Sequence, residues 1–291
     1  MAGSMKDIRL RIKSVQNTMQ ITKAMQLVAA SKLRRAKERA KATRAYYTGL
    51  YEAVCELAER NTERVSPYAA EREVKRRCFV VIAGDRGLAG GYNQNVFKEV
   101  KAAGGEESSA MVIPIGRKAL DYYHRRSVKV VSDKYPSAED INIRDCKEIA
   151  DIICEKFLSG EFDALSIGYT NFNSMLSQTP AVIPVLPLGE LIKEEPKAQK
   201  PEGETQRMPL TLYEPDARAA FDVIIPDYVA GLICGALRES YAAEQAARRM
   251  AMDSASKNAG EIIEKLDLSY NRARQSAITQ EITEIVAGAK A

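Results

Sequence analysis

The sequence has few of the side chains on which catalytic and metal sites depend. Its 291 residues contain one histidine, His124, and no tryptophan. Zinc sites and histidine-based triads need more than this one residue can supply, and the acidic residues form no HxxE or DxD cluster. His124 stands in DYYHRRS (121–127), at the expected end of a helix with no nucleophile nearby. We interpret it as a surface or capping residue and expect no catalytic residue, cofactor or metal in this chain.

The cysteines show no paired spacing either. None of the five forms a CxxC motif, and the N-terminal MAGSMKDIRLRIK has no apolar core of the signal-peptide type. We therefore expect no signal peptide, and reduced thiols rather than disulfides. No stretch approaches the roughly 18 apolar residues of a membrane-spanning helix. The cysteines are Cys55, Cys78, Cys146, Cys154 and Cys234.

Proline is missing from both ends of the chain. All 11 prolines lie between Pro67 and Pro226. Because proline breaks helix interiors, the two proline-free ends can each form a very long helix. At about 1.5 Å per residue, each helix would be roughly 80–90 Å long, which is longer than one globular core. We expect the two ends to pair with each other and to project beyond the middle of the chain.

Both ends also carry a heptad pattern, in which apolar and small residues alternate at spacings of four and three. This pattern is typical of a coiled coil, and the many small residues would let the two helices approach closely. Thr22, Gln26 and Thr43 dilute the first seam with polar groups. That seam comprises Ile8, Ile12, Val15, Met19, Thr22, Gln26, Ala29, Leu33, Ala36, Ala40, Thr43, Tyr47, Leu50, Val54 and Leu57. The second comprises Val229, Ile233, Ala236, Ser240, Ala243, Ala247 and Met250, then Ile263, Leu266, Tyr270, Ala273 and Ala277, and finally Ile278, Ile282 and Ile285.

The middle of the chain alternates between strand and helix patterns, which argues for a mostly parallel sheet with helices on its faces. The charged, proline-containing segment 193–209 has no periodicity and is interpreted as an exposed loop. We predict a mixed fold, an antiparallel coiled coil of residues 1–66 and 226–291 with an α/β domain, 67–225, inserted between them. The predicted strands are 78–83, 111–116, 128–132, 163–172 and 181–188, and the predicted helices are 93–103, 117–126 and 143–158.

Four glycines follow the first predicted strand within GDRGLAGGYN (84–93). The strand, turn and helix context would suit a phosphate-binding loop. However, the spacing Gly84-x-x-Gly87-x-x-Gly90-Gly91 does not match GxGxxG, and no glycine in the chain precedes a lysine as in a Walker loop. A tight turn in which glycine supplies positive φ is the favoured interpretation, and phosphate binding remains the alternative.

Positive charge is concentrated near the N-terminus. Residues 5–45 hold twelve basic and two acidic side chains, a net charge of +10, although the whole chain carries only +4. Such density on one helix favours an acidic partner over a merely solvated face. Nucleic acid is possible in principle but no aromatic platform or known motif accompanies the charge, and the seam is too polar for membrane insertion. The C-terminal ARQSAITQEITEIVAGAKA (273–291) resembles a rod tip that fits inside an apolar partner.

Five blocks of sequence resemble the gamma subunits of F-type ATP synthases, in the same order and over essentially the whole chain. The resemblance implies a coiled-coil shaft with an inserted Rossmann-like domain. It implies a rotor that couples proton or sodium flow to ATP synthesis, and catalysis by other subunits. The blocks are IRLRIKSVQNTMQITKAMQLVAASKLRRA (8–36), DRGLAGGYNQN (85–95), LYEPD (212–216), EQAARRMAMDSASKNAG (244–260) and LSYNRARQSAITQEITEIVAGA (268–289).

The resemblance also implies partners. Three alpha and three beta subunits would surround a single copy of this chain, and the epsilon subunit and the c ring would lie at its foot. The complex would stand on the cytoplasmic face of the bacterial cell membrane, and the chain would reach the membrane only through it. Each orientation of an asymmetric shaft would contact one beta conformation best and shift that site's equilibrium.

Individual residues take roles from the same motifs. Contacts with the beta subunits are implied for Lys23, Met25, Arg34, Arg35, Arg248, Gln275, Thr279 and Val286. A contact with epsilon or the c ring is implied for Tyr213 and Glu214. The glycine turn is similar to the family's SDRGLCGG, with Gly84 and Ala89 in place of serine and cysteine. The cysteine-bearing insert of photosynthetic relatives is not visible, so we expect no thiol switch of that kind.

Two other functions remain as alternatives. A nucleotide or metabolite enzyme with a coiled-coil arm would bind nucleotide as an isolated chain. A basic coiled coil that binds nucleic acid would lose affinity steeply with salt.

Overall fold

The computed structural model describes residues 5–60, 66–70, 72–188 and 217–288, with backbone alone at 40–47, 56, 58–60 and 217. In these ranges the chain forms five helices and five strands. In chain order they are α1 (Met5–Arg60), β1 (Arg77–Ile82), α2 (Tyr92–Ala102), β2 (Met111–Ile115), α3 (Arg117–Tyr123), β3 (Lys129–Val130), α4 (Ile143–Leu158), β4 (Ala164–Phe172), β5 (Gln178–Leu186) and α5 (Ala217–Gly288).

These elements group into two compact units, and both α1 and α5 contribute residues to each. The coiled-coil unit contains the described parts of Met1–Lys32 and Arg248–Ala291, and the sheet unit contains the described parts of Leu33–Ala247. The predicted mixed fold, with long terminal helices and a central α/β region, is confirmed. The predicted loop at 193–209 lies outside the described residues.

The sheet has the order β3-β2-β1-β4-β5. Strands β3, β2, β1 and β4 run parallel, and β5 pairs antiparallel with β4 at one edge. The edge position suits β5, because it contains Pro180 and Pro184, which cannot donate to a neighbouring strand. All but the first residue of β1 is buried, as expected for a central strand covered on both faces. Strand β3 is shorter than the predicted 128–132.

Helices cover both faces of the sheet. Alternate residues of β1 divide the core, because successive side chains point to opposite faces. Cys78, Val80 and Ile82 pack in a cluster with α4, α5 and α1. Phe79 and Val81 pack in a second cluster with α2 and α3. The sheet unit is therefore a three-layer structure in which α5 forms part of the core.

Local sequence explains where these helices begin and how far they run. Asn142 caps α4, and its side chain accepts hydrogen bonds from the backbone N–H groups of Arg144 and Asp145. The Asp145 carboxylate in turn accepts a hydrogen bond from the backbone N–H of Asn142. Helix α5 begins at Ala217 and continues through Pro226, so this proline does not mark its start. One stretch of α5 is apolar enough by composition for a membrane span, but 56% of it is buried inside the molecule, as in a core helix.

The coiled-coil unit buries the seam that the heptad pattern predicts. On α1, Ile8, Ile12, Val15 and Met19 are half-buried and Ala29 is buried, whereas most of the intervening residues are exposed. On α5 the buried positions are Met252, Ser256 and Ala259, followed by half-buried Ile263, Leu266, Tyr270, Ala273 and Ala277. The predicted heptad pairing of the two ends is confirmed here.

Four predicted seam residues of α5 are exposed instead. Met250 is 37% exposed because the seam passes through its neighbour Met252. Ile278, Ile282 and Ile285 are 46%, 56% and 71% exposed. The contacts of Thr22 with Ser256 and of Gln26 with Asp253 set an antiparallel register that places Met5 opposite about residue 273. The last turns of α5 therefore extend beyond the described part of α1.

Candidate interaction surfaces

The glycine-rich turn 84–93 joins β1 to α2, and its conformation explains part of its sequence. Gly90 has a φ of +58°, in the left-handed region where glycine pays no steric penalty. Leu88, with a φ of 62°, adopts the same region despite its side chain and is 64% exposed. The Asp85 carboxylate accepts hydrogen bonds from the backbone of Ala138 at 2.8 Å and from the hydroxyl of Ser137 at 3.1 Å. The acidic group of the turn thus holds the loop that precedes α4.

The turn packs against α5. Ala89 and Tyr92 form a buried cluster with Ala243, and the Tyr92 hydroxyl lies 2.7 Å from that of Ser240. A side chain added at Gly84 would meet the carboxylate oxygen Oε1 of Glu244 at 2.6 Å. A side chain at this position would therefore require the end of the Glu244 side chain, on α5, to shift.

This environment does not suit a phosphate group. The N–H of Gly84 already donates to the Asn93 side chain at 2.9 Å. Glu244, which is 5% exposed, places a carboxylate over the glycine where a phosphate would have to approach. A cleft of about 770 Å³ in the sheet unit is lined by α1, β4, β5 and α5, and no residue of the turn lines it. The geometry favours the structural interpretation of GDRGLAGGYN.

The sequence pattern did not identify the polar groups at this junction. Ser240 was predicted only as a seam position, and Glu244 only as part of a family block. The Ser240 hydroxyl is fully buried and contacts both Tyr92 and the backbone N–H of Thr170. A serine within an otherwise apolar seam is the one signal in the sequence that could have indicated it.

The basic residues of α1 form an exposed face. Of the ten whose side chains are described, nine are exposed and Lys32 is half-buried. Arg34 makes only a 4.0 Å contact with Glu38, and both side chains are more than two-thirds exposed, so this pair neutralises little charge. The side chains of Lys41 and Arg44 lie outside the described residues. The exposed basic residues are Lys6, Arg9, Arg11, Lys13, Lys23, Arg34, Arg35, Lys37 and Arg39.

The coiled-coil unit fixes the orientation of Lys23 and Met25. On either side of them, Thr22 contacts the hydroxyl of Ser256 at 2.7 Å, and the Gln26 side chain donates to Asp253 at 2.9 Å. These bonds lock the rotation of α1 against α5, leaving Lys23 exposed and Met25 half-buried. The hydrogen bond and charge of Lys257, 2.8 Å away, lower the pKa of Asp253 below its usual value.

The other predicted contact residues occupy different places. Arg248 is half-buried in the coiled-coil unit, whereas Arg34 and Arg35 belong to the sheet unit. Gln275, Thr279 and Val286 are exposed on the last turns of α5. These last turns, residues 275–288, are hereafter the tip. Tyr213 and Glu214 lie outside the described residues.

The tip presents both apolar and polar groups. An apolar stripe runs along the tip, and each of its side chains is at least 46% exposed. It comprises Ile278, Ile282, Ile285 and Val286, at spacings of four, three and one. The hydroxyl of Thr279 donates to the carbonyl of Gln275 at 2.9 Å, so it is satisfied within its own helix. A helix that exposes an apolar stripe in this way is an interaction surface rather than a core element.

The described part of the chain offers little for catalysis. No group of three or more His, Cys, Asp or Glu side chains within it could hold a metal ion. His124 is exposed at the C-terminal cap of α3, as predicted. None of the five cysteines, all within the described residues, forms a disulfide. Burial raises the pKa of Cys78 to about 12 and that of Cys154 to about 12, so neither is a thiolate at neutral pH.

Comparison with known sequences finds relatives along the whole length of this chain. The family model described as ATP synthase matches residues 4–291. The chain is 46% identical to the ATP synthase gamma chain of Ruminococcus albus, over 97% of this chain and 96% of that protein. It is 39% identical to a protein of Acetobacterium woodii named ATP synthase gamma chain, sodium ion specific, over 100% and 99% of the two chains.

Solved structures share the fold at lower identity. A chain from the mitochondrial ATP synthase of Euglena gracilis, in a structure of OSCP, F1 and the c ring, superposes with a TM-score of 0.67 at 19% identity. The match covers 100% of this chain and 95% of that one. A chain from the central stalk and c ring of the Tetrahymena thermophila enzyme gives a TM-score of 0.59 at 23% identity, over 81% and 99%.

Proposed function

Because this chain belongs to the ATP synthase gamma chain family, we propose that it is the central-stalk rotor subunit of an F-type ATP synthase. It couples ion flow through the c ring to ATP synthesis on the beta subunits by rotating. The observation that carries this proposal is the coiled-coil unit, which combines an interlocked seam, five of the nine exposed basic residues of α1 and an exposed apolar tip. A buried enzyme site would need none of these three features.

The proposed partners are three alpha and three beta subunits around one copy of this chain, with epsilon and the c ring at the foot. Tyr213 and Glu214 are proposed as foot contacts on the family motif alone. The complex is peripheral to the membrane, and we place it on the cytoplasmic face of a bacterial cell membrane. The chain binds no nucleic acid and catalyses no step. The carboxylate of Glu244 over the glycine turn supports the absence of a nucleotide site there.

The basic face is proposed to meet acidic loops of the beta subunits. Lys23, Arg34 and Arg35 would attract these loops as the stalk turns, and Met25 would give an apolar contact between charges. Exposed charges of this kind interact over roughly 10 Å at 0.1 M salt, so the attraction guides a moving loop without fixing it. Arg248 on α5 is proposed as a further contact.

The tip is proposed to turn inside an apolar sleeve formed by the alpha and beta subunits. Val286 and the isoleucine stripe give the tip an apolar surface. Gln275 and Thr279 would give it a few polar contacts with a beta loop. Because the stripe covers one side of a single helix, the tip differs from side to side. An asymmetric surface contacts one of three surrounding sites better than the others, and such differential contact shifts that site's equilibrium.

Transmission of torque requires that the two helices do not slip past each other. An apolar seam alone resists slipping weakly, because apolar contacts are not directional. The Thr22–Ser256 and Gln26–Asp253 contacts add directional bonds across the seam of the coiled-coil unit. These bonds support a role as a shaft that turns as one body.

The test is reconstitution with purified alpha and beta subunits from the same organism. We expect this chain to co-elute with them in gel filtration as one copy per three alpha and three beta subunits, and steady ATPase activity to appear only in that fraction. A chain that stays separate and binds nucleotide would support the enzyme alternative, and one that binds DNA or RNA in a salt-dependent manner would support the nucleic-acid alternative. Either result would overturn the proposal.

A further inference from the structure

The cleft of about 770 Å³ in the sheet unit is long and lined on several sides. Residues between 37 and 51 of α1 and between 228 and 242 of α5 line it, together with residues of β4 and β5. Each helical stretch is roughly 20 Å long, at about 1.5 Å per residue. Small-molecule sites have volumes of roughly 300–1,000 Å³, so this cleft has the size of a binding site for an extended ligand.

One end of the cleft is apolar. The centroids of the Tyr51 and Tyr228 rings, on α1 and α5, lie 6.3 Å apart. No described residue comes within 4 Å of a methyl group built at Gly235, one of the cleft's lining residues, so open space remains along α5. An apolar chain placed here would be removed from water, which is favourable. The lining side chains at this end include Leu50, Tyr51, Tyr228 and Leu232.

The other end of the cleft carries two cations in fixed positions. The Nζ of Lys37 lies 4.8 Å from the centroid of the Phe172 ring, a cation–π contact. Arg238 directs its Nε toward the sulfur of Cys234 at 3.4 Å. A second nitrogen of the same guanidinium donates to the backbone carbonyl of Arg39 at 3.2 Å. These contacts hold both charges at the cleft without neutralising them.

The charge at this end is therefore available to a ligand. Within the described part of the chain, neither Lys37 nor Arg238 forms an ion pair with a carboxylate. Glu239 also lines the cleft, so the charges of the described lining residues sum to +1. An anionic group placed between the two cations would gain charge-assisted hydrogen bonds, which are stronger than neutral ones. A cationic group would be repelled.

We propose that this cleft binds one single-chain amphiphilic anion of the fatty-acid class. Its carboxylate lies at Lys37 and Arg238, and its hydrocarbon chain follows α5 toward Tyr51 and Tyr228. The cations select the headgroup, and the length of the apolar end selects the chain. This site belongs to the sheet unit and does not depend on the proposed rotor function.

The test is isothermal titration calorimetry of the full-length chain with dodecanoate below its micelle-forming concentration. We expect saturable binding of one dodecanoate per chain. Each methylene removed from the ligand should weaken binding about fourfold, because less apolar surface is buried. Dodecyltrimethylammonium has the same chain and the opposite charge, and it should bind at least about tenfold more weakly. Equal affinity for the two ligands, or binding that does not saturate, would overturn the proposal.

A change that fills the cleft tests its location. Gly235→Leu places a side chain in the open space, so it should abolish dodecanoate binding. Gly260→Leu is the matched control on the same helix, because it has equally open surroundings but lies in the coiled-coil unit. Circular dichroism melting shows whether both variants remain folded. A folded Gly235→Leu chain that binds dodecanoate as well as the wild type would contradict this site.

Charge variants test the headgroup contacts even if Gly235→Leu does not fold. Lys37→Gln and Arg238→Gln should each weaken dodecanoate binding about three- to tenfold, and should change dodecyltrimethylammonium binding little or strengthen it. Lys98→Gln, at an exposed lysine of α2, should bind dodecanoate like the wild type. Equal affinities of all three variants would overturn the proposal. So would a chain that sediments with phosphatidylglycerol vesicles but binds no dodecanoate, because its charge would then attract a lipid surface only.

Discussion

The hydroxyl of Thr22 on α1 lies 2.7 Å from the hydroxyl of Ser256 on α5, in a seam that is otherwise formed by apolar and small side chains. Both residues are more than 90% buried. Each hydroxyl is also within hydrogen-bond distance of a carbonyl of its own helix, that of Met19 for Thr22 and that of Met252 for Ser256. Because a hydroxyl carries one proton, one of the two donates across the seam while the other donates to its own helix. A buried polar pair of this kind fixes the register of a coiled coil at some cost in stability.

We therefore expect the single changes Thr22→Val and Ser256→Ala to cost more than the double change. Each single variant leaves one buried hydroxyl facing an apolar group, which costs about 1 kcal/mol, while the double variant removes both. A double-mutant cycle by urea unfolding should give a coupling energy of about 0.5–1.5 kcal/mol. Additive effects would mean that the two hydroxyls do not interact.

Gly84→Ala should destabilise the sheet unit. The added methyl group would meet the Glu244 carboxylate at 2.6 Å, and Glu244 is too buried to move aside freely. We expect a loss of about 1–3 kcal/mol in the free energy of unfolding. Gly87→Ala is the matched control in the same turn, because nothing lies within 4 Å of its added methyl group. Equal stability of the two variants would contradict the close approach of α5.

The cluster around Glu106 should make stability depend on acid pH. Burial raises the pKa of this carboxyl, but hydrogen bonds from Tyr122 and Lys101 and the charge of Arg126 outweigh it and lower the pKa overall. Its stabilisation is present above the ordinary glutamate pKa and is lost as pH falls through the lowered folded value.

Glu106→Gln should therefore reduce stability by about 1–2 kcal/mol at pH 7 and by less at pH 3. Urea unfolding at both pH values measures this. Glu73→Gln serves as the control, because Glu73 pairs only with Lys75 and both side chains are more than two-thirds exposed. A loss that does not change with pH would contradict the charged role of Glu106.

Ile285→Asp should leave the isolated chain as stable as the wild type. Ile285 is 71% exposed on the tip, so the change should alter the free energy of unfolding by no more than about 0.5 kcal/mol. It should nevertheless weaken reconstitution with alpha and beta subunits, because a charge would enter the apolar sleeve. Leu266→Asp, in the half-buried seam, should instead lower the melting temperature measured by circular dichroism. A destabilised Ile285→Asp chain would mean that the tip is packed.

Met25→Lys should impair the coupling of ATP hydrolysis to rotation more than assembly. The half-buried Met25 lies on the basic helix, and another cation would hold an acidic beta loop too strongly. Assembled enzyme in vesicles should hydrolyse ATP but pump fewer ions per ATP. Met175→Lys makes the same change at a residue 37% exposed in the β4–β5 hairpin and should pump normally. Unchanged pumping by the Met25→Lys enzyme would contradict the proposed contact between Met25 and a beta loop.

The sequence predicted the pattern of elements because each rests on local chemistry. Helix α4 was predicted at the residues where it occurs, and its boundaries follow from the capping pair Asn142 and Asp145. The α1 seam was readable because its polar members, Thr22 and Gln26, kept the heptad spacing. The start of α5 was not readable, because packing against the sheet extends this helix through Pro226.

What the sequence could not predict depends on contacts between distant residues. Glu244 lies against Gly84, although 160 positions separate them. Ile282 is exposed because α5 extends beyond the described part of α1. The heptad pattern of α5 alone contains no information about how far α1 reaches.

Single-molecule observation of rotation tests the central claim most directly. With the alpha and beta subunits fixed to a surface and a bead attached through a cysteine introduced at the exposed residue Glu107, ATP should drive the bead in one direction. Three pauses per turn should appear, one for each beta subunit. A complex that hydrolyses ATP steadily while the bead on this chain shows only random motion would contradict the rotor account.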